Sequence, residues 1–125
     1  MQILLVEDHE DTRQVLSRFL SRCGFEVLSA STLREGLQLL ETNHLFDAIV
    51  SDIALPDGTG YALISEARRR GMGALGIALS AYAYPADVEE SKLTGFDYHV
   101  QKPCDCAYLR SLLEERAELK AAGGE

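Results

Sequence analysis

Three carboxylates, one hydroxyl and one ammonium stand where this chain could do chemistry. Glu7 and Asp8 follow the apolar run Leu4-Leu5-Val6, Asp52 closes Ala48-Ile49-Val50-Ser51, Ser80 follows Leu75–Leu79, and Lys102 comes just after Phe96–Val100. In an open α/β sheet, ligands and reactive groups sit beyond the carboxyl ends of the strands. Asp52 alone reads equally well as a strand-ending residue that caps a turn, since Pro56 and Asp57-Gly58 follow it. Its company changes that. Packed carboxylates repel one another and hold their protons more tightly unless a cation neutralises them. Carboxylate oxygens with room for water suit Mg2+, which prefers octahedral oxygen coordination and keeps several waters. Such an ion, held by two carboxylates, still has positions for phosphoryl oxygens. Phosphoryl transfer onto Asp52 then needs charge stabilisation at the other oxygens. Lys102 offers a point charge and Ser80 a hydroxyl donor.

The elements that must position these residues are legible as alternation. Strands are expected at Gln2–Val6, Phe25–Ser29, Asp47–Ser51, Leu75–Leu79 and Phe96–Val100, each an apolar run of the kind that parallel sheets bury on both faces. Between them the spacing turns helical. Val15, Leu16, Phe19 and Leu20 mark a first helix ending at Gly24. Thr32 and Glu35 form a capping box for a second, with Leu33, Leu37 and Leu40 inward. Thr59 caps a third, with Leu63, Ile64 and Ala67 inward, and Arg68-Arg69-Arg70 at its end suits the helix dipole better than a binding patch. Pro85 opens a fourth, for which only Val88 and Leu93 supply a core face. That helix is expected to be the least firmly held. A fifth covers roughly Asp105–Leu119; residues 1–120 form one domain and 121–125 a frayed tail. Five strands alternating with five helices predict a doubly wound, flavodoxin-like (βα)5 fold. Its five-stranded parallel sheet has the order 2-1-3-4-5, with helices on both faces.

Composition narrows the function classes. The chain has 125 residues, 46% of them hydrophobic, and a net charge of −8, which disfavours a nucleic-acid surface. Apolar runs are too short to span a membrane and no leader precedes the first strand, so a cytoplasmic protein is expected. Cys23, Cys104 and Cys106 are an odd set, expected as free thiols that pack as small hydrophobes and not as a metal or redox centre.

The motifs at the strand ends, Leu4-Leu5-Val6-Glu7-Asp8, Ser51-Asp52 with Pro56 and Gly60, Ser80-Ala81 and Lys102-Pro103, together resemble the response-regulator receiver domain. The likeness covers essentially the whole chain. It implies Asp52 as phosphoacceptor, Asp8 as a direct Mg2+ ligand, Glu7 acting largely through metal-bound water, and the Ala54 backbone carbonyl as the remaining protein ligand. It further implies Ser80 as the switch hydroxyl, Lys102 pairing with phosphoryl oxygens, a cis bond before Pro103, and the switch aromatic's place taken by His99. Tyr98 should face the other side of that strand. A histidine there titrates near neutral pH, but a plain rotameric switch is the simpler expectation. Ala54 and Tyr82 stand where the family positions its hydrolytic water. Ala54 has no polar group and Tyr82 is bulky, so slow autodephosphorylation is expected.

The resemblance implies a two-component or phosphorelay protein that accepts phosphate from a histidine kinase or histidine phosphotransfer protein. It implies no conventional enzyme, and output through the fourth helix, fifth strand and fifth helix. A homodimer that forms on phosphorylation is a further partner it admits. The acidic opening, Ser80 and His99 look most like receivers of hybrid histidine kinases, from which this stretch could be cut. The alternative is a degenerate receiver serving only as an interaction module, which the complete set of site residues disfavours. An aspartate-nucleophile phosphatase of the haloacid dehalogenase type would need a second Asp where Ala54 stands. A flavodoxin-like flavin binder would not place Glu7, Asp8, Glu10 and Asp11 in its phosphate loop.

Overall fold

The computed structural model describes residues 1–43, 45–81 and 84–122. In chain order the elements are β1 (Gln2–Val6), α1 (Glu10–Arg22), β2 (Glu26–Ala30), α2 (Leu33–Thr42), β3 (Ala48–Asp52), β4 (Ala54–Leu55) and β5 (Gly58–Thr59). Then follow α3 (Gly60–Arg69), β6 (Leu75–Ser80), α4 (Pro85–Thr94), β7 (Tyr98–Gln101) and α5 (Cys106–Ala122). Five strands form one parallel sheet in the order β2-β1-β3-β6-β7, which is the expected 2-1-3-4-5. The other two are two-residue strands paired antiparallel as a small hairpin outside it.

Strand alternation sorts the core into two layers. Ile3, Leu5, Val50, Ile77 and Leu79 pack with Leu16 and Leu20 of α1 and Leu109, Leu112 and Leu113 of α5. Leu4, Val6 and Ile49 face the other way, onto Leu40 of α2 and Leu63, Ile64 and Ala67 of α3. Each fully buried Leu or Ile in these layers stabilises by about 1.5–3 kcal/mol, which is what holds the strand ends in one line.

The helix ends follow their sequence signals with one variation. Thr32 Oγ1 accepts the Glu35 N–H at 3.1 Å, while Glu35 reaches back past Thr32 to the Ser31 N–H at 3.2 Å. Gly24 adopts φ +95°, as a residue ending α1 should. The basic triplet is consumed locally: Arg68 donates to the carbonyls of Met72, Ala74 and Gly95, and Arg69 and Arg70 pair with Glu66.

Two helical faces depart from expectation. Leu93 is 80% exposed and Val88 only half-buried, so α4 buries Ser91 in their place. Val15 of α1 is 58% exposed, leaving Leu16 and Leu20 as the buried pair. α5 runs on through Ala122, beyond the expected Leu119; residues 123–125 lie outside the described part.

Candidate functional site

Every strand that the sequence ends in a reactive group delivers it to the same edge. Glu7 follows β1, and its N–H still extends the sheet by bonding the Ala30 carbonyl at 3.0 Å. Asp52 is the last residue of β3 and Ser80 the last of β6. The Lys102 N–H bonds the Ser80 carbonyl at 2.7 Å just past β7, and the Lys102-Pro103 bond is cis. Backbone ladders, not the side chains themselves, thus set the spacing of the group.

The side chains meet closely. Lys102 Nζ lies 2.7 Å from Asp52 Oδ2 and 2.8 Å from Glu7 Oε1. Glu7, Asp8 and Asp52 each offer a carboxylate oxygen within 4.8 Å of the others. Glu7 is fully buried and Asp52 is 6% exposed, whereas Asp8 is open to solvent. One ammonium faces three carboxylates, and the imbalance is felt. Burial, reinforced by the charge of Glu7, pushes the Asp52 carboxyl up to about 6 despite the hydrogen bond from Lys102. Burial disfavours the Lys102 ammonium too, but hydrogen bonds and charge from Asp52 and Glu7 outweigh it and raise its pKa above the ordinary lysine value.

This donor set fits a hard divalent cation. Glu7 Oε2 accepts the His9 N–H at 3.0 Å, and the buried Oε1 faces the Lys102 ammonium at 2.8 Å and, among the described residues, no other donor. A buried carboxylate oxygen in that state, beside two further carboxylates, is suited to a cation or its water.

The loop after β3 completes the wall. The Ala54 N–H approaches Asp52 Oδ1 at 3.3 Å, and Ala54 pairs with Thr59 across the β4–β5 hairpin. Gly60 closes that hairpin by bonding the Ile53 carbonyl at 2.8 Å; a Cβ on Gly60 would collide with the Asp52 carbonyl oxygen. A cavity of about 450 Å3 opens here, lined among others by Asp8, Asp52, Ala54, Ser80 and Lys102.

His99 is not part of that cavity. It sits on β7 with Nδ1 2.7 Å from Ser91 Oγ of α4, while Tyr98 packs into the opposite layer, as alternation requires. Tyr82, expected to shield the site, lies outside the described residues. All three cysteines are free and half-buried; burial, followed by the nearby Cys106 and Asp105, pushes the Cys104 thiol up to about 11, so it packs as a neutral group. Sequence reasoning missed Asp87 and Glu90 of α4 and Tyr61 of α3, which also line the cavity. The spacing of Asp87 and Glu90, three residues apart, was the available signal.

Comparison with known proteins agrees with this geometry. The family model for the response regulator receiver domain matches residues 3–114. An uncharacterized 14.6 kDa protein from the sodA1 3′ region of Leptolyngbya boryana is 37% identical over 117 residues, covering 92% of this chain and 88% of that protein. Sensor histidine kinase RcsC of Escherichia coli is 29% identical over 118 residues, 94% of this chain but 12% of the kinase. Among solved structures, the N-terminal domain of an uncharacterized Wolinella succinogenes protein superposes with TM-score 0.90 at 29% identity, covering 98% of each chain. A CheY-like receiver domain protein of Methanospirillum hungatei gives TM-score 0.86 at 29% identity, with 97% of each chain covered.

Proposed function

The chain belongs to the response regulator receiver domain family, and on that premise we propose that it accepts a phosphoryl group from a phosphohistidine onto Asp52 in a Mg2+-dependent reaction. The observation that carries this is the placement of Lys102 Nζ, 2.7 Å from Asp52 Oδ2 and 2.8 Å from Glu7 Oε1, with carboxylate oxygens of Glu7, Asp8 and Asp52 within 4.8 Å of one another. A receiver is a signalling domain of two-component pathways, and here the acceptor is the protein's own side chain.

An Asp52 oxygen attacks phosphorus in line with the departing imidazole nitrogen. The P–N bond breaks as the O–P bond forms, and the imidazole nitrogen keeps the electron pair while the other ring nitrogen retains its proton, so that neutral imidazole leaves. Asp8 and Asp52, with the Ala54 carbonyl, would hold Mg2+ directly, and Glu7 through water. When bound, the ion neutralises charge on the phosphoryl oxygens. Lys102 shifts from Asp52 to a phosphoryl oxygen, and Ser80 donates its hydroxyl to another. The change then passes to the α4–β7–α5 surface through Ser80 and His99. The Ser91–His99 hydrogen bond and the single buried residue of α4 support that route. The phosphodonor is a histidine kinase or histidine phosphotransfer protein, and the location cytoplasmic; among the described residues, no helix is long and apolar enough to cross a membrane. Relatives of which it spans 88% and 12% support either a stand-alone regulator or a part of a longer kinase.

Intact mass after incubation with acetyl phosphate, with and without Mg2+, tests this on wild type and Asp52→Asn. One added phosphoryl group, requiring both Mg2+ and Asp52, is the expected result. The adduct should persist, because Ala54 offers no polar group to orient water, and Ala54→Asn should shorten its life several-fold. An adduct on Asp52→Asn, or none on wild type, removes the proposal; equal decay in both Ala54 forms removes the lifetime argument.

A further inference from the structure

Asp57 stands outside the acidic cluster, at the exposed tip of the β4–β5 hairpin, yet both its carboxylate oxygens are engaged. Oδ1 accepts the Leu33 N–H at 2.8 Å and Oδ2 the Arg34 N–H at 3.0 Å, across more than twenty residues of chain. These are the first two N–H groups of α2, which a helix leaves without internal partners. The third, from Glu35, goes to Thr32 Oγ1 at 3.1 Å. α2 is therefore capped twice, once by its own preceding residue and once by a carboxylate delivered from another loop. Negative charge at that end also suits the helix dipole, and the two N–H donors hold the Asp57 carboxyl below its ordinary range. Next to it, Gly58 lies so close to α2 that a Cβ would come within 2.5 Å of Leu33 Cδ2.

The hairpin needs such an anchor. Its strands have two residues each, too few to hold together by pairing alone. Its base is tied by Ile53 N–H to the Leu79 carbonyl at 3.0 Å and by Gly60 N–H to the Ile53 carbonyl at 2.8 Å. The tip is tied by Asp57. Between base and tip sits Ala54, on the wall of the acidic cavity.

We propose that Asp57 is a positioning residue for the metal: by clamping the hairpin tip to the N-terminus of α2, it fixes the Ala54 carbonyl relative to Glu7, Asp8 and Asp52. The inference rests on the Mg2+-dependent reading of that site. Because coupling is reciprocal, the bound ion in turn secures the first turn of α2.

Mg2+ titration of the whole chain, followed by the amide NMR shifts of Asp52 and Ala54, tests this without any phosphodonor. Asp57→Ala should weaken Mg2+ about tenfold, the scale on which groups that orient a metal ligand act, and Asp57→Asn by less. Thr32→Ala is the control, since it uncaps the same helix at its third N–H and leaves the hairpin alone; its Mg2+ affinity should match wild type. In metal-free protein, amide exchange at Leu33, Arg34, Gly58 and Thr59 should quicken together in Asp57→Ala. Wild-type affinity in Asp57→Ala overturns the proposal. So does equal weakening in Thr32→Ala, which would reduce the effect to helix stability. A wild type that binds no Mg2+ overturns the metal reading itself, and the positioning role falls with it.

Discussion

Asp52 is a group that the folded chain holds at a cost. Its carboxyl is nearly buried beside Glu7, and Lys102 can satisfy only part of the negative charge. With no cation bound, burial lifts its pKa from 3.8 to about 6. The sign follows from linkage: a folded pKa above the unfolded one means that the native state binds the extra proton. The contribution is fully favourable below about pH 4 and is lost as pH rises through about 6. Asp52→Asn, which resembles the protonated acid, should therefore stabilise the metal-free protein at pH 7.5 by about 1–2 kcal/mol. That range is below the full linkage value because Asp52 lines an open cavity, where solvent relieves part of the burial and of the Glu7 repulsion that raise its pKa. The gain should vanish near pH 4 and shrink when Mg2+ is added. Denaturant unfolding in the presence of a chelator measures it directly, and an equal gain at both pH values would mean that the ionisation of Asp52 is not its source.

Strand ends were readable because parallel strands are buried on both faces and so write themselves as continuous apolar runs; Glu7, Asp52, Ser80 and Lys102 were found by where those runs stop. α4 shows the opposite case. Val88 and Leu93 are five residues apart, about 140° around a helix of 3.6 residues per turn, so they cannot share one face. The structure buries Ser91, bonded to His99 at 2.7 Å, and leaves Leu93 in solvent. No hydrophobic pattern could reveal a helix docked through a hydroxyl. The hairpin β4–β5 was hidden for another reason, since two-residue strands leave no period, and the Asp57 clamp joins parts of the chain that no local pattern connects. At this scale the test is Ser91→Ala. Losing one part-buried hydrogen bond costs about 1 kcal/mol, and it should appear as faster amide exchange across Pro85–Thr94 with protection of β1, β3 and β6 unchanged. Unchanged exchange in α4 would show that the bond to His99 does not hold the helix.

The molecule as a whole has two well-packed layers that support one strongly acidic edge. Asp87 and Glu90 join Asp8 and Asp52 around the cavity, with Glu7 buried behind and Lys102 the one cation among the described lining residues. The chain around them carries a net charge of −8. A bound divalent cation offsets only part of this, so a small dianionic phosphodonor approaches against the field. A field of this sign lowers the local concentration of such a donor and slows its encounter. Salt shortens the reach of that field to about 8 Å near physiological ionic strength. The rate of phosphorylation by acetyl phosphate should therefore rise several-fold from low salt to about 0.2 M ionic strength, provided Mg2+ is kept saturating, because salt also weakens the metal. Phosphoramidate, which carries less negative charge, should respond less. Neutralising the helix side with Asp87→Asn and Glu90→Gln together should raise the low-salt rate and flatten the salt dependence. If both donors respond to salt alike, or the double variant keeps the wild-type slope, the acidic helix does not set the donor's approach.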